Sequence, residues 1–543
     1  MTYLLSGNMV FLVAMLLVAF MIGTAFLPEQ KKKPIKKYVG TGLLFIVSLI
    51  FLIYVVDVFR TYMKDDMYGQ RNLFAFLTII GVALGLFCFT KYREGKLTEK
   101  DLIWLVFLAG IGIRIIYILY TPVTERQNDV GFFKEGSTHH LGYVYYIFTN
   151  GKLPEIDPRE AWQFYNPPFH YILCAFWIKL QTICGVVIEQ AVENIQLLTL
   201  LYSGCIMITA DKIAAKLGLK GGYRILNMSL VAFTPYFIIG AGAVNQDTLV
   251  TLLMLLAVYT TLCWIEKPCI KRIIPIAITI GLGMMTKITA GILAVPVGTM
   301  FMWYWIKERK RWKYYLSMYG IFAVIVFPIG MWFPIKNYIL YQMPVVWSPP
   351  SSGMEQYTGN FPIWSRFFDF DPIQFKTLCI SWTESYLEAA GYIEHNIPLA
   401  FVKHLAFSDW PYCMYTSLYY LIGALLLIMI SVLIAVCVGL FIYWIVKGEA
   451  GLQNKVFLLL TGIVSFLSYL YFCFSKPYVA AMNVRYVLLL VLILFVGGVL
   501  GLKTLFERCK IGKWKWIRKA VAVAGILYGV VASNLYILFM IKA

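Results

Sequence analysis

The chain has 543 residues, of which 60% are hydrophobic and only 14% charged, and its formal net charge is +19. Soluble domains carry about a quarter charged residues, so the composition excludes a soluble globular protein. Apolar runs of about 20 residues, each long enough to cross a hydrocarbon core as a helix, recur from end to end and predict a polytopic α-helical membrane protein. A membrane β-barrel is excluded because its short alternating segments are absent. The positive charge does not call for nucleic acid, since Lys and Arg sit mostly in short connections between apolar runs.

In chain order, the first run, 4–27, has no basic residue before it and is followed by "KKKPIKK" at 31–37. It reads as a retained helix, not a cleaved signal. Placing that basic stretch in the cytoplasm sends 38–59 outward, returns 72–91 to "KYREGKLTEK", and sends 102–122 outward again. The stretch that follows, "TERQNDVGFFKEGSTHH" at 124–140, therefore opens an external loop; it gathers Glu125, Arg126, Asp129, Lys134, Glu135, His139 and His140.

Three apolar runs come next, at 167–184, 195–214 and 224–243, with Lys212, Lys216, Lys220 and Arg224 between the second and third. If all three crossed, that basic cluster and every later one would face outward. Parity thus requires that one run does not cross, and 167–184, the shortest, opening on two prolines and carrying His170 and Lys179, is predicted to be interfacial or re-entrant. About fourteen crossings remain. The predicted divisions are three extra N-terminal helices (1–101), a catalytic membrane core (102–503) with long external loops at 123–194 and 337–412, and a basic cytoplasmic segment with the last helix (504–543). All five histidines fall in the two long loops. The eleven cysteines contain no CxxC pair and do not read as a zinc site; Cys379 and Cys413 are the only pair placed near the external side.

On that external face the threading gathers Asp129, Asp247 in "NQD", Lys287 in "TKIT", and Arg485 with Tyr486 in "VRY". A partly desolvated carboxylate can take a proton from a hydroxyl or amine nucleophile. Lys287 and Arg485 at headgroup depth suit a lipid phosphate, Arg through its planar fork and Lys as a point charge. Together they suggest attack by an acceptor on a sugar activated by a lipid phosphate, a leaving group that needs little protonation. Each residue also has a plainer reading: Asp129 as an interfacial charge, Asp247 as a helix N-cap, Lys287 and Arg485 as snorkelling cations. His139 and His140 are expected to hydrogen-bond donor or acceptor; a divalent metal held by them and Asp129 is weighed and not favoured. Tyr165 and Trp162 either pack the loop in an aromatic belt or contact sugar.

"NDVGFF…HHLGYVYYIFTNGKLP…WQFYNPPFHY", "VNQDTLVTLLMLLAVYTTLCW", "GLGMMTKITAGILAVP" and "VRYVLLL", in that order, resemble the landmarks of the GT-C membrane glycosyltransferases, in the family 39 branch of protein O-mannosyltransferases and aminoarabinose transferases. The resemblance covers about 102–500. It implies a GT-C-like bundle, a polyprenyl-phosphate sugar donor, Asp129 as catalytic base, and juxtamembrane helices after it. Its landmark positions match Asp247, Lys287, Arg485 and Tyr486. With the reading of the residues above, Lys287 and Arg485 are expected on the donor phosphate, and His139, His140, Asp247, Tyr165 and Tyr486 at the substrate. The expected protein is an inverting glycosyltransferase of the plasma membrane, acting on an external protein, glycan or lipid acceptor in cell-envelope glycosylation. Asn128 departs from the acid or His that relatives often carry before the catalytic Asp. The rival reading is a transporter or flippase, which would place charged or Pro/Gly-broken positions at mid-membrane in paired halves.

Overall fold

The computed structural model describes residues 94–95, 98–125, 129–349, 357–371, 393–408 and 417–508, and 520–533 apart from 522 and 526. The segment predicted to hold three N-terminal helices (apart from 94–95 and 98–101), Asn128, Cys379, Cys413, much of the loop at 337–412 and the basic stretch at 509–519 lie outside the described residues.

The described elements are helices: α1 (Glu99–Tyr120), α2 (His139–Asn150), α3 (Phe169–Ile183), α4 (Ile188–Glu193), α5 (Ile195–Lys216), α6 (Gly222–Phe233), α7 (Pro235–Ile239) and α8 (Asp247–Glu266). There follow α9 (Ile270–Thr286), α10 (Ala294–Lys307), α11 (Trp312–Tyr341), α12 (Ser365–Phe368), α13 (Ile397–Phe407), α14 (Ser417–Lys447), α15 (Leu452–Ser475) and α16 (Leu488–Arg508). The fold class is the all-α membrane bundle expected. Among the described residues, 8 helices are long and apolar enough to cross a membrane, or 9 with one bent pair. At 17 residues, α9 falls at the lower limit of a span.

Local chemistry sets the ends and breaks. Thr98 and Asp101 form a reciprocal capping box at the start of α1. Pro235 interrupts the apolar run at 222–242 and bends it by 61°. A proline in a helix leaves the carbonyl four residues before it without its usual donor. The buried Arg114 supplies one: its Nη2 donates to the Val231 carbonyl at 3.2 Å and its Nη1 to that of Ala232 at 2.7 Å. Its Nε donates to Ser203 Oγ at 2.8 Å. This mid-helix charge therefore has a structural occupation, which removes it as a transport-site signal. Close helix contact decides the packing of α14 on α16: a Cβ at Gly501 would stand 2.0 Å from the Leu440 carbonyl oxygen.

Gln196 Nε2 at the start of α5 donates to the Thr121 carbonyl at the end of α1 at 3.0 Å, and the Glu193 carboxylate accepts from Val123 N–H. The connection 122–194 thus leaves and re-enters at one end of the bundle, so α3 within it is not a lone crossing. Instead α2, α3 and α4 enclose a second hydrophobic core around Leu141, Tyr143, Tyr171 and Ile178. The basic residues that parity placed together do gather at the opposite end, where Arg224 pairs with Asp211 and Glu99, and Lys216 with Glu266.

Candidate active site

Four helix ends and one loop meet at the end of the bundle that carries the long connections. Asp129 follows α1 in a left-handed backbone conformation, φ 54°, and its carbonyl and that of Val130 accept the second and third amides of α2, from His140 and Leu141. His139 (φ 72°) and Gln163 (φ 71°) share this conformation, which costs an L-residue about 1–3 kcal/mol and clusters at sites where geometry is imposed.

The Asp129 carboxylate is partly buried. Its Oδ2 accepts from Gln163 Nε2 at 3.0 Å and stands 3.8 Å from Arg485 Nη2. The Gln163 amide is itself fixed, because Asn166 Nδ2 donates to its Oε1 at 2.6 Å, which leaves its NH2 turned to Asp129. Sequence reading singled out neither Gln163 nor Asn166, although both lie in the quoted "WQFYNPPFHY".

Arg485 sits in a single helical turn between α15 and α16, where Asn483 Oδ1 accepts from its N–H at 2.9 Å. Its Nη2 donates to Tyr486 Oη at 2.8 Å. Its Nε is buried and finds no acceptor among the described residues. Lys287 caps the end of α9; its Nζ meets Asp247 Oδ1 at the start of α8 at 2.5 Å and lies 4.6 Å from the centre of the Tyr486 ring. Burial pushes the Lys287 ammonium below its usual range, opposed by the Asp247 carboxylate and reinforced by Arg485. Lys287, Arg485 and Tyr486 line a narrow cleft together with Thr289, the α15 hydroxyls of Ser465 and Ser468, and the apolar Met254, Ile292 and Leu489. The lining is mixed, polar and apolar, and comes from α8, α15, the start of α16 and the turns that carry Lys287 and Arg485.

Of the predicted residues, Asp129, Arg485, Tyr486, Lys287 and Asp247 therefore form one contiguous cluster. Tyr165 stands beside it, edge-on to Trp347 at 5.0 Å, and burial followed by the neighbouring Tyr486 and Asp129 raises its hydroxyl well above the usual range. His139 is half-buried at the loop surface, where Thr138 Oγ1 meets its Nδ1 at 2.9 Å. His140 points into the second core: its Nδ1 meets Tyr171 Oη at 2.8 Å, and Tyr171 donates to Gln246 Oε1 at 2.9 Å. Because the tyrosine proton goes to Gln246, His140 is the donor to Tyr171 through Nδ1–H. Among the described residues no three His, Cys, Asp or Glu side chains converge as a metal set.

Two expected results follow from these contacts. Gln163→Ala should lower turnover by up to about 10²-fold, the scale on which a slightly misplaced catalytic group costs rate, with little change in thermal stability. The second concerns acid. Burial holds His140 down to about 3 and His170 down to about 4, against an ordinary value of 6.5. The unfolded chain then binds protons that the fold refuses, so stability should fall as pH drops from about 6.5 toward 4. Thermal unfolding across that window measures it, and His140→Gln should flatten part of the slope.

Residues 166–332 match the family model described as dolichyl-phosphate-mannose-protein mannosyltransferase. Asp247 and Lys287 fall inside the match; Asp129 and Arg485 fall outside it. Among curated proteins, no sequence matches the chain. Among solved structures, the apo oligosaccharyltransferase of Archaeoglobus fulgidus aligns at 12% identity and TM-score 0.46, covering 81% of this chain and 56% of that one. Archaeal oligosaccharyltransferase AglB from the same organism, in complex with an inhibitory peptide and a dolichol-phosphate, aligns at 14% identity and TM-score 0.39 with the same coverage. ArnT from Cupriavidus metallidurans bound to undecaprenyl phosphate aligns at 13% identity and TM-score 0.32, covering 76% of this chain and 79% of that one. The chain spans a little over half the length of the archaeal chains.

Proposed function

We propose that this chain, which resembles the GT-C glycosyltransferases of family 39 and matches the mannosyltransferase family model over 166–332, transfers a sugar from a polyprenyl-phosphate donor to a hydroxyl or amine acceptor at the external face of the membrane. The observation that carries the reading is the buried Nε of Arg485, which has no acceptor among the described residues, on a residue that lines a cleft with Lys287. A phosphate oxygen would satisfy it, and the apolar part of the lining would meet the first isoprene units.

In this reading Asp129 accepts the proton of the acceptor O–H or N–H. The acceptor atom bonds to the anomeric carbon from the face opposite the phosphate, and the carbon–oxygen bond to phosphate breaks with its electron pair on the phosphate. The configuration inverts, and the phosphate goes from about one negative charge to two, which Arg485 and Lys287 stabilise as it grows. Gln163, held by Asn166, occupies Asp129 Oδ2 and leaves Oδ1 toward the acceptor. Asp247 positions Lys287, and Tyr486 supports both cations.

The direct test supplies radiolabelled polyprenyl-phosphate hexoses to the purified protein in lipid. Consumption of one of them with release of polyprenyl phosphate is expected; sugar flux across proteoliposomes without cleavage would support the transporter reading instead. Sidedness has its own test. Cys introduced at the exposed Glu155 should react with an impermeant reagent from outside intact cells, and Cys introduced at Lys216 should not; the reverse pattern would overturn the external site.

A further inference from the structure

A run of apolar side chains stands exposed in the second long connection, at 362–370. Ile363 and Trp364 lead α12, and Phe368 ends it, with Trp364 75% and Phe368 65% exposed. The Trp364 and Phe368 rings stack at 5.7 Å. Between them Arg366 turns the other way and is buried: its Nη2 donates to the Cys473 carbonyl in the last turn of α15 at 3.0 Å, and its guanidinium lies 4.7 Å over the Phe474 ring. A C-terminal helix carbonyl lacks an intrahelical donor, so this bond ties α12 to the very end of that span. Phe367 adds a contact to Phe474 at 6.1 Å.

The side of α15 to which α12 is tied decides what covers the exposed rings. Ile463, Leu467, Tyr471 and Phe474 are all exposed and recur at helical spacing down one stripe of a helix long and apolar enough to cross a membrane. That stripe is the lipid-facing one, and α12 docks on its last residue. Trp364 and Phe368 are thereby held beside the span's end, where the amphipathic indole of Trp364 suits the headgroup level and the apolar Phe368 ring the acyl chains next to it.

We propose that 362–370 is an interfacial anchor whose Ile363, Trp364 and Phe368 insert into the headgroup boundary of the bilayer beside α15. The occupant of this surface is lipid. Its consequence lies next to the site: Thr358 N–H donates to the Pro477 carbonyl at 2.8 Å, and Tyr357 pairs with Tyr478. The anchored segment is thus stitched to the connection that carries Arg485.

The test places an environment-sensitive NBD label at Trp364→Cys in the full chain reconstituted in nanodiscs, with the label on the parent chain as baseline because Cys184 is exposed. Glu155→Cys, in a charged exposed turn, is the comparison site. Lipid carrying a doxyl group at carbon 5 should quench the label at 364 at least about threefold more than at 155, and aqueous iodide should show the opposite order. Iodide quenching at 364 equal to that at 155 would overturn the anchor. Protection at 364 from both quenchers would overturn it equally, since it would mean that protein covers the patch. If Trp364→Cys does not give monodisperse protein, Ile363→Cys carries the same readout.

Discussion

Asp129→Asn should leave expression, thermal stability and donor binding close to those of the parent chain while lowering turnover by about 10² to 10⁴, the range that loss of a positioned general base produces. The surroundings of the carboxylate make this substitution a narrow one. An asparagine carbonyl at the Oδ2 position would still accept from Gln163 Nε2, now at 3.0 Å. The backbone at φ 54° favours Asn and Asp among side-chain-bearing residues, so the loop has no reason to refold. What disappears is proton affinity, together with the opposite charge 3.8 Å from Arg485. Retention of more than half the parent turnover would remove Asp129 from the chemistry and return it to the reading of an interfacial charge.

The charged members of this site were legible in the sequence because each stands where an apolar run stops, and an ionisable group at such a point has few other occupations. Lys287 and Arg485 announce themselves that way, and the charge parity of the flanking connections set α3 apart from the crossing runs. Partners were less legible. Asp247 meets Lys287 across 40 residues and Gln163 meets Asp129 across 34, and no local pattern couples an amide or a carboxylate to a group that far along the chain. The partners of His140 were as hidden: its side chain meets Tyr171, 31 residues on, and through it Gln246 beside Asp247. Pro235 was visible inside its apolar run, but the arginine that repairs the break lies 117 residues before the Val231 carbonyl it serves, on a different helix.

Arg485→Ala should raise the apparent KM for donor and lower kcat by about 10² to 10³, the scale seen when one preorganised donor to a developing anion is removed. The acceptor's KM should stay where it was. Both parameters should move because the same guanidinium would contact the phosphate before and after the sugar leaves, and the charge there grows between those states. Arg485→Lys should restore little: an ammonium cannot hold Tyr486 Oη through one nitrogen while presenting another N–H, the present Nε, to the cleft. Lys287 should behave differently, because its Nζ is already engaged by Asp247 and the Tyr486 ring and acts as a point charge. Lys287→Ala leaves the Asp247 carboxylate buried without its counter-charge beside the phosphate, so donor binding should suffer from repulsion as well as from the lost cation. Lys287→Ala with Asp247→Asn should therefore bind donor better than Lys287→Ala alone. Donor and acceptor titrations of the four variants separate these effects: a change confined to the acceptor would mean that the two cations serve the other substrate, and a double variant no better than Lys287→Ala would mean that Asp247 does not act through Lys287.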